Sequence, residues 1–192
     1  MNIKNLFFST LLSGLLLASP ITQAYSMTQE EVQLGQQGVE AFNAGDYKRA
    51  LKIWKPLVDK GNPIAQHNYA AAYATGKGVK QDYREAMKWY RKAASHGKAD
   101  SMRMVGVMYY KGEGVKPNSK EAFKWFLKAA EAGDKVAQQL VGAAYSSGDG
   151  VKPNVEKANM WYKKSGANVT VIQDDIMYRQ LEEMDKRRKG LK

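Results

Sequence analysis

Three loops in this 192-residue chain carry residues that could hold a phosphate: GKGVKQD (76–82), GEGVKPN (112–118) and GDGVKPN (148–154). A Gly-x-Gly pair cradles phosphate oxygens through its backbone N–H groups when it joins a strand to a helix N-terminus. Here each pair lies between two helical segments and recurs in all three copies. A site is rarely built three times over, whereas a turn must be. Gly76, Gly112 and Gly148 therefore read as left-handed helix caps, and the second glycine of each pair as the residue that lets the chain reverse. The valine that follows (Val79, Val115, Val151) is expected to plug the gap between helices.

The remaining candidates for chemistry are sparse. Ser95-His96-Gly97-Lys98 matches the Ser-x-x-Lys signature of penicillin-recognising enzymes, but the companion Ser-Asp-Asn and Lys-Thr-Gly motifs are absent from the sequence. The match also falls where a helix should end. His67 and His96 lie 29 residues apart, and the chain has no cysteine to complete a metal site. Asp174-Asp175 and Glu182-Glu183 are adjacent along a helix and face different directions, which suits a solvated surface rather than a paired acid and base. Asn168 opens an Asn-Val-Thr sequon, which matters only in a eukaryotic secretory host. No catalytic, cofactor or metal site is expected, and the chain reads as a non-enzyme.

Composition bounds the rest. With 44% hydrophobic and 26% charged residues the chain suits one soluble unit. Lys4, the apolar run 6–18 and the small residue Ala24 form a signal-peptide pattern over residues 1–24, with cleavage expected between Ala24 and Tyr25. The run is too short to span a bilayer. Export to a bacterial periplasm or exterior is the expectation, and without cysteine the fold must be held by packing alone. The net charge is +11, with a basic tail over residues 186–192. Such a balance favours anionic partners or surfaces, through the tail in particular; nucleic acid is not expected for an exported chain.

What would position any of these residues is a repeat. Gly78, Gly114 and Gly150 are 36 residues apart, and the same spacing links Trp89, Trp125 and Trp161, and also Tyr73, Tyr109 and Tyr145. Ala86, Ala122 and Ala158 keep it, as do Gly61, Gly97 and Gly133. Each unit reads as two helices. Ala65, Tyr69, Ala72 and Tyr73 share one helical face after an Asn62 cap and Pro63 at the first helical position. Asp82 with Glu85, and Asn118 with Glu121, have capping-box spacing; Asn154 keeps the cap alone. An earlier, shorter unit starts at a Thr28/Glu31 capping box, and Pro56 should kink its second helix. Ala65, Ala70, Gly106 and Gly142 are small enough to let helices approach closely. The tryptophans are expected to fill the space between the two helices of a unit, so that Trp125→Ala would cost roughly 3–5 kcal/mol. Beyond the third unit, Met177 and Leu181 continue the register while Tyr178 replaces the small residue, as a terminal cap would.

This pattern resembles the Sel-one-like repeat family, relatives of the tetratricopeptide repeat. The second unit carries the resemblance best, through Val105-Gly106, Tyr109, Gly112, Gly114, Val115, Ala122, Trp125, Ala129, Ala130 and Gly133; the leading unit is similar to a tetratricopeptide repeat through Gly38, Gly45-Asp46-Tyr47, Ala50 and Trp54. The resemblance implies an all-α, right-handed α-solenoid of helix-turn-helix repeats. It comprises a tetratricopeptide-like unit (28–61), three Sel-one-like repeats (62–97, 98–133 and 134–169), and a capping helix (170–185). It also implies a monomeric scaffold that binds a protein or peptide in a concave groove, in cell-envelope processes or in contact with host cells. Carried over from the related repeat, the groove would be lined by the first helix of each unit, with His67, Arg103, Val107, Tyr110, Lys111 and Gln139 as its candidate contacts. An aromatic flanked by two cations, Tyr110 with Arg103 and Lys111, would suit an acidic or C-terminal-carboxylate peptide. Two alternatives stand beside this reading: a β-lactam-binding or hydrolysing enzyme, as connected with cysteine-rich relatives, and a binder of anionic surfaces acting through the basic tail.

Overall fold

Local capping residues divide the chain into helices. In the computed structural model, residues 28–167 are described and form eight helices: α1 (Gln29–Asn43), α2 (Tyr47–Asp59), α3 (Pro63–Thr75), α4 (Tyr83–Ser95), α5 (Ala99–Lys111), α6 (Ser119–Glu131), α7 (Lys135–Ser147) and α8 (Val155–Ser165). The signal-peptide pattern, the capping helix at 170–185, the basic tail and Asn168 lie outside the described residues. Thr28 and Glu31 form the expected reciprocal capping box, both bonds at 3.2 Å. Asn62 accepts from the N–H groups of Ile64 and Ala65 at 3.0 Å.

The boxes expected at Asp82 and Asn118 are only half made. Each side chain caps its helix, but Glu85 and Glu121 turn outward to Lys88 and Lys124, at 3.0 and 2.6 Å. An exposed glutamate gains as much from an ammonium one turn away as from a cap N–H. Helix α2 continues through Pro56 to Asp59.

Helices pack in chain order, each against the next, so the hairpins stack into an all-α solenoid. Three apolar clusters follow one another along it. The first joins α1, α2 and α3 around Leu51, Trp54, Leu57 and Val58. The second joins α3, α4 and α5 around Tyr90, Val105 and Met108, and the third joins α6, α7 and α8 around Phe126, Val141 and Trp161. Because each cluster draws on two units, no hairpin could bury its apolar face alone.

The loops are turns, as their recurrence suggests, and the two glycines of each do different work. Gly112 ends α5 in the left-handed region at φ +79°, and its N–H bonds back to the Met108 carbonyl. Gly114, also left-handed at φ +73°, lies against the preceding unit: a methyl group there would sit 2.6 Å from the Tyr83 carbonyl carbon and oxygen. The loop thus seats on the first turn of α4, backbone against backbone. Val79, Val115 and Val151 pack against the apolar clusters, as expected.

The tryptophans do not occupy the place expected of them throughout. Trp54 is buried, packs on Gly38 and donates through Nε1 to the Gly35 carbonyl at 3.3 Å. In the later units the residue after the tryptophan takes the slot between the two helices. Phe126 lies against Gly106, where an added methyl would be 2.6 Å from the ring, and Tyr162 lies against Gly142 in the same way. Trp89 and Trp125 are half-buried and pack back onto the cluster of the preceding unit. Since a helix turns by about 100° per residue, only one of two adjacent aromatics can enter the slot.

Candidate binding groove

Gly106 lets α5 close onto α6, and α7 packs on α6 in turn. A cavity of about 290 Å³ opens between these three helices. Its floor is Ala122, Phe123 and Phe126 of α6, and its walls are Val107 of α5 with Leu140 and Ala143 of α7. Tyr110, Lys111, Ser147 and Asp149 form a polar rim. Tyr110 is 54% exposed, and the Lys111 ammonium is 3.7 Å from Glu113. An apolar floor with a few polar groups around its edge fits a side chain from a partner more readily than it fits a reacting centre.

The six residues expected along the groove separate into three groups. Val107, Tyr110 and Lys111 come together at this cavity. Gln139 is exposed on α7 and does not line it. His67 and Arg103 face the neighbouring unit and are engaged there. The Arg103 guanidinium donates from Nε to Asp134 Oδ2 at 2.9 Å, while Asp134 Oδ1 accepts from the Ala137 N–H at 2.7 Å. One carboxylate, its side chain 5% exposed, therefore caps α7 and anchors α5. Arg103 stands inside a junction between units and is not a free cation beside Tyr110.

His67 has a comparable role one unit earlier. Its Nδ1 lies 2.8 Å from the hydroxyl of Ser101, a fully buried residue of α5, and its ring meets Tyr90 edge-on at 5.3 Å. Burial pushes its pKa down from 6.5 to about 4; Lys98 and Arg103 add to the depression and Asp100 opposes it. The sign follows directly. The unfolded chain takes up a proton near pH 6.5 and the folded chain does not until about pH 4, so stability falls as pH drops through that window. The loss should be on the order of 3 kcal/mol by pH 4. In denaturant titrations from pH 7.5 to 4, His67→Gln should flatten this slope; an unchanged slope would assign it to other groups.

The sequence expectations do not include the floor residues Phe123 and Phe126 or the wall residue Leu140. Phe126 had a signal, because Tyr90, Phe126 and Tyr162 form an aromatic column at the 36-residue period. Phe123 had none, since its column reads Met87, Phe123, Asn159. Ser95 and Lys98 make no catalytic pair: the Ser95 hydroxyl donates to the Lys92 carbonyl at 2.7 Å, and the Lys98 ammonium bonds to Asp100. Among the described residues no group of three or more His, Cys, Asp or Glu could hold a metal ion.

Comparison with known proteins agrees with the architecture. The crystal structure of a Sel1 repeat protein from Oxalobacter formigenes is similar at TM-score 0.67 and 33% identity, over 71% of this chain and 57% of that one. A second similar structure is c5321, described as a protective antigen of uropathogenic Escherichia coli strains displaying an SLR fold. It has TM-score 0.68 and 35% identity, over 71% of this chain and 30% of that one. The chain thus spans less than two thirds of either relative. No curated protein matches it significantly. The Sel1 repeat model matches residues 63–98, 99–134 and 135–168, one residue later in its starts than the units read from the sequence. These three matches take in more than half of the chain, and the protein belongs to the Sel1 repeat family.

Proposed function

We propose that the protein is a non-catalytic scaffold that holds a peptide segment of another protein in the groove between α5 and α7. Sel1 repeat proteins generally mediate protein–protein binding. The observation that carries the reading here is the cavity with an aromatic floor, Phe123 and Phe126, beneath an exposed Tyr110. A large aromatic or aliphatic side chain would fill the floor, and Lys111 would meet a carboxylate on the partner. With Arg103 committed to Asp134, one cation serves the rim rather than two.

Peptides selected from a displayed library on the wild-type protein test this. Both Tyr110→Ala and Ala143→Trp, which removes the rim aromatic or fills the cavity, should weaken them at least about tenfold. Peptides that bind both variants as they bind the wild type would place recognition elsewhere.

Export is part of the proposal and rests on the pattern Lys4, apolar residues 6–18 and Ala24. A role at the cell envelope or in contact with host cells is proposed with it, on the similarity to a protein described as a protective antigen of uropathogenic Escherichia coli strains. N-terminal sequencing of the protein recovered from the expressing bacterium should begin at Tyr25; a retained Met1 would overturn this part.

A further inference from the structure

The two faces of the stack differ in charge. The second helices of the units, α2, α4, α6 and α8, carry fourteen Lys and Arg against five Asp and Glu, a net of +9. The first helices, α1, α3, α5 and α7, carry three against four, a net of −1. All fourteen cations are exposed. The asymmetry lies in the folded repeats and is separate from the basic tail.

The cations are also ordered. In three successive units a lysine lies over the indole three residues before it. Lys92 is 4.2 Å from the Trp89 ring centre, Lys128 is 4.6 Å from that of Trp125, and Lys164 is 4.8 Å from that of Trp161. Attraction to the ring face restrains each ammonium before any ligand arrives, so less side-chain freedom is lost on binding. Three such lysines at one repeat spacing make a ladder of positive charge.

We propose that this second-helix face binds a linear acidic polysaccharide, laid across successive units with its acid groups on the lysine ladder. A periodic row of cations suits a polymer whose charge is itself periodic. Between the ladder's rungs, an opening of about 550 Å³ is bordered by Tyr109 and Trp125, with Arg91, Lys124 and Lys128 at its edges. Arg91 lies over the Tyr109 ring and bonds to its hydroxyl, and Lys128 lies over Trp125, so the rings hold these cations at the opening, where they meet the polymer's carboxylate or sulfate. Glu121, bonded to Lys124, and Glu131 border the same opening, where a carboxylate can accept from sugar hydroxyls. A lipid surface fits less well. Of the exposed large hydrophobics among the described residues, Val32, Ile64, Tyr110 and Val136 lie on first helices, leaving Met160 on this face.

The test uses the full mature chain and compares polygalacturonate and heparin with neutral dextran, phosphatidylglycerol-containing vesicles and oligothymidylate. Both acidic glycans should bind more tightly than the other three, with affinity falling as salt rises. Replacing the ladder (Lys92→Gln, Lys128→Gln, Lys164→Gln) should weaken glycan binding about tenfold or more. Replacing the equally periodic, exposed loop lysines (Lys80→Gln, Lys116→Gln, Lys152→Gln) removes the same charge and should change it less than about threefold. Circular-dichroism melting confirms that both triple variants stay folded; these are surface positions, and Trp89, Trp125 and Trp161 are left in place. Equal losses in the two triples would overturn the ladder. Tighter binding of vesicles or oligonucleotide would overturn the glycan. Binding abolished by deleting 186–192 alone would move the site to the tail.

Discussion

Gly114→Ala should destabilise the protein by about 3–5 kcal/mol, against about 1–2 kcal/mol for Gly133→Ala. The two glycines share a left-handed backbone, φ +73° and +94°, so the conformational strain on a side chain is similar at both. They differ in what stands opposite. A methyl group at Gly133 meets nothing within 4 Å. At Gly114 it would lie 2.6 Å from the Tyr83 carbonyl and 2.9 Å from the Arg84 nitrogen, main-chain atoms at the start of α4 that cannot swing aside. Relief requires the loop to lift off the preceding unit, which also withdraws Val115 from its cluster. Urea denaturation of the two variants measures the difference. Equal losses would mean that the loop does not seat on α4, and that left-handed strain alone explains the glycine. The sequence by itself supports only that strain, roughly 1–2 kcal/mol.

Trp54→Ala should cost about 3–5 kcal/mol and Trp125→Ala only about 1–2 kcal/mol. Both residues are tryptophans on second helices, and the repeat pattern alone gives no reason to separate them. Trp54 is 2% exposed, fills the slot against Gly38 and has a main-chain partner for its indole N–H. Its removal leaves a cavity that α1 and α2 cannot close without moving. Trp125 is half-buried, keeps one ring face under Lys128 and leaves the slot to Phe126. Water can refill the space it vacates. Thermal melts of the two variants should therefore differ clearly, and equal losses would overturn the assignment of Phe126 as the packing residue.

Features set by local chemistry were legible in the sequence. Asn62, Asp82, Asn118 and Asn154 each cap the helix expected of them, because a side-chain oxygen beside free N–H groups acts within three residues. The 36-residue period likewise exposed the stacked hairpins. Contacts between units were not legible, because they join different columns. Position 67 of one unit faces the start of the next, and the corresponding pair is Arg103 with Asp134. Where that start is Asp134, the facing residue is a bonded arginine. Where it is Lys98, the facing residue is His67, held neutral in part by that very lysine. Read down the columns, His67 and Arg103 look like two variants of one groove position; read across the junction, each matches the charge of its neighbour.

The seating of Gly114 on Tyr83 and Arg84 involves main-chain atoms on the receiving side, and a methyl at Gly150 would likewise meet the main chain of Ser119 and Lys120. Where the nearest atoms are peptide backbone, the fit depends little on which side chains the neighbour carries, whereas Gly78, which adjoins the different leading unit, also meets the Leu51 and Tyr47 side chains. At this joint a unit copied whole meets its template as before, and the charge match it must keep is the one between position 67 or 103 and the first residue of the next unit. Its outward-facing residues are then free to diverge while the spacing between units stays fixed. Lengthening or shortening the chain is tolerated in steps of one complete unit, and a step of any other size leaves a glycine facing the wrong turn of helix.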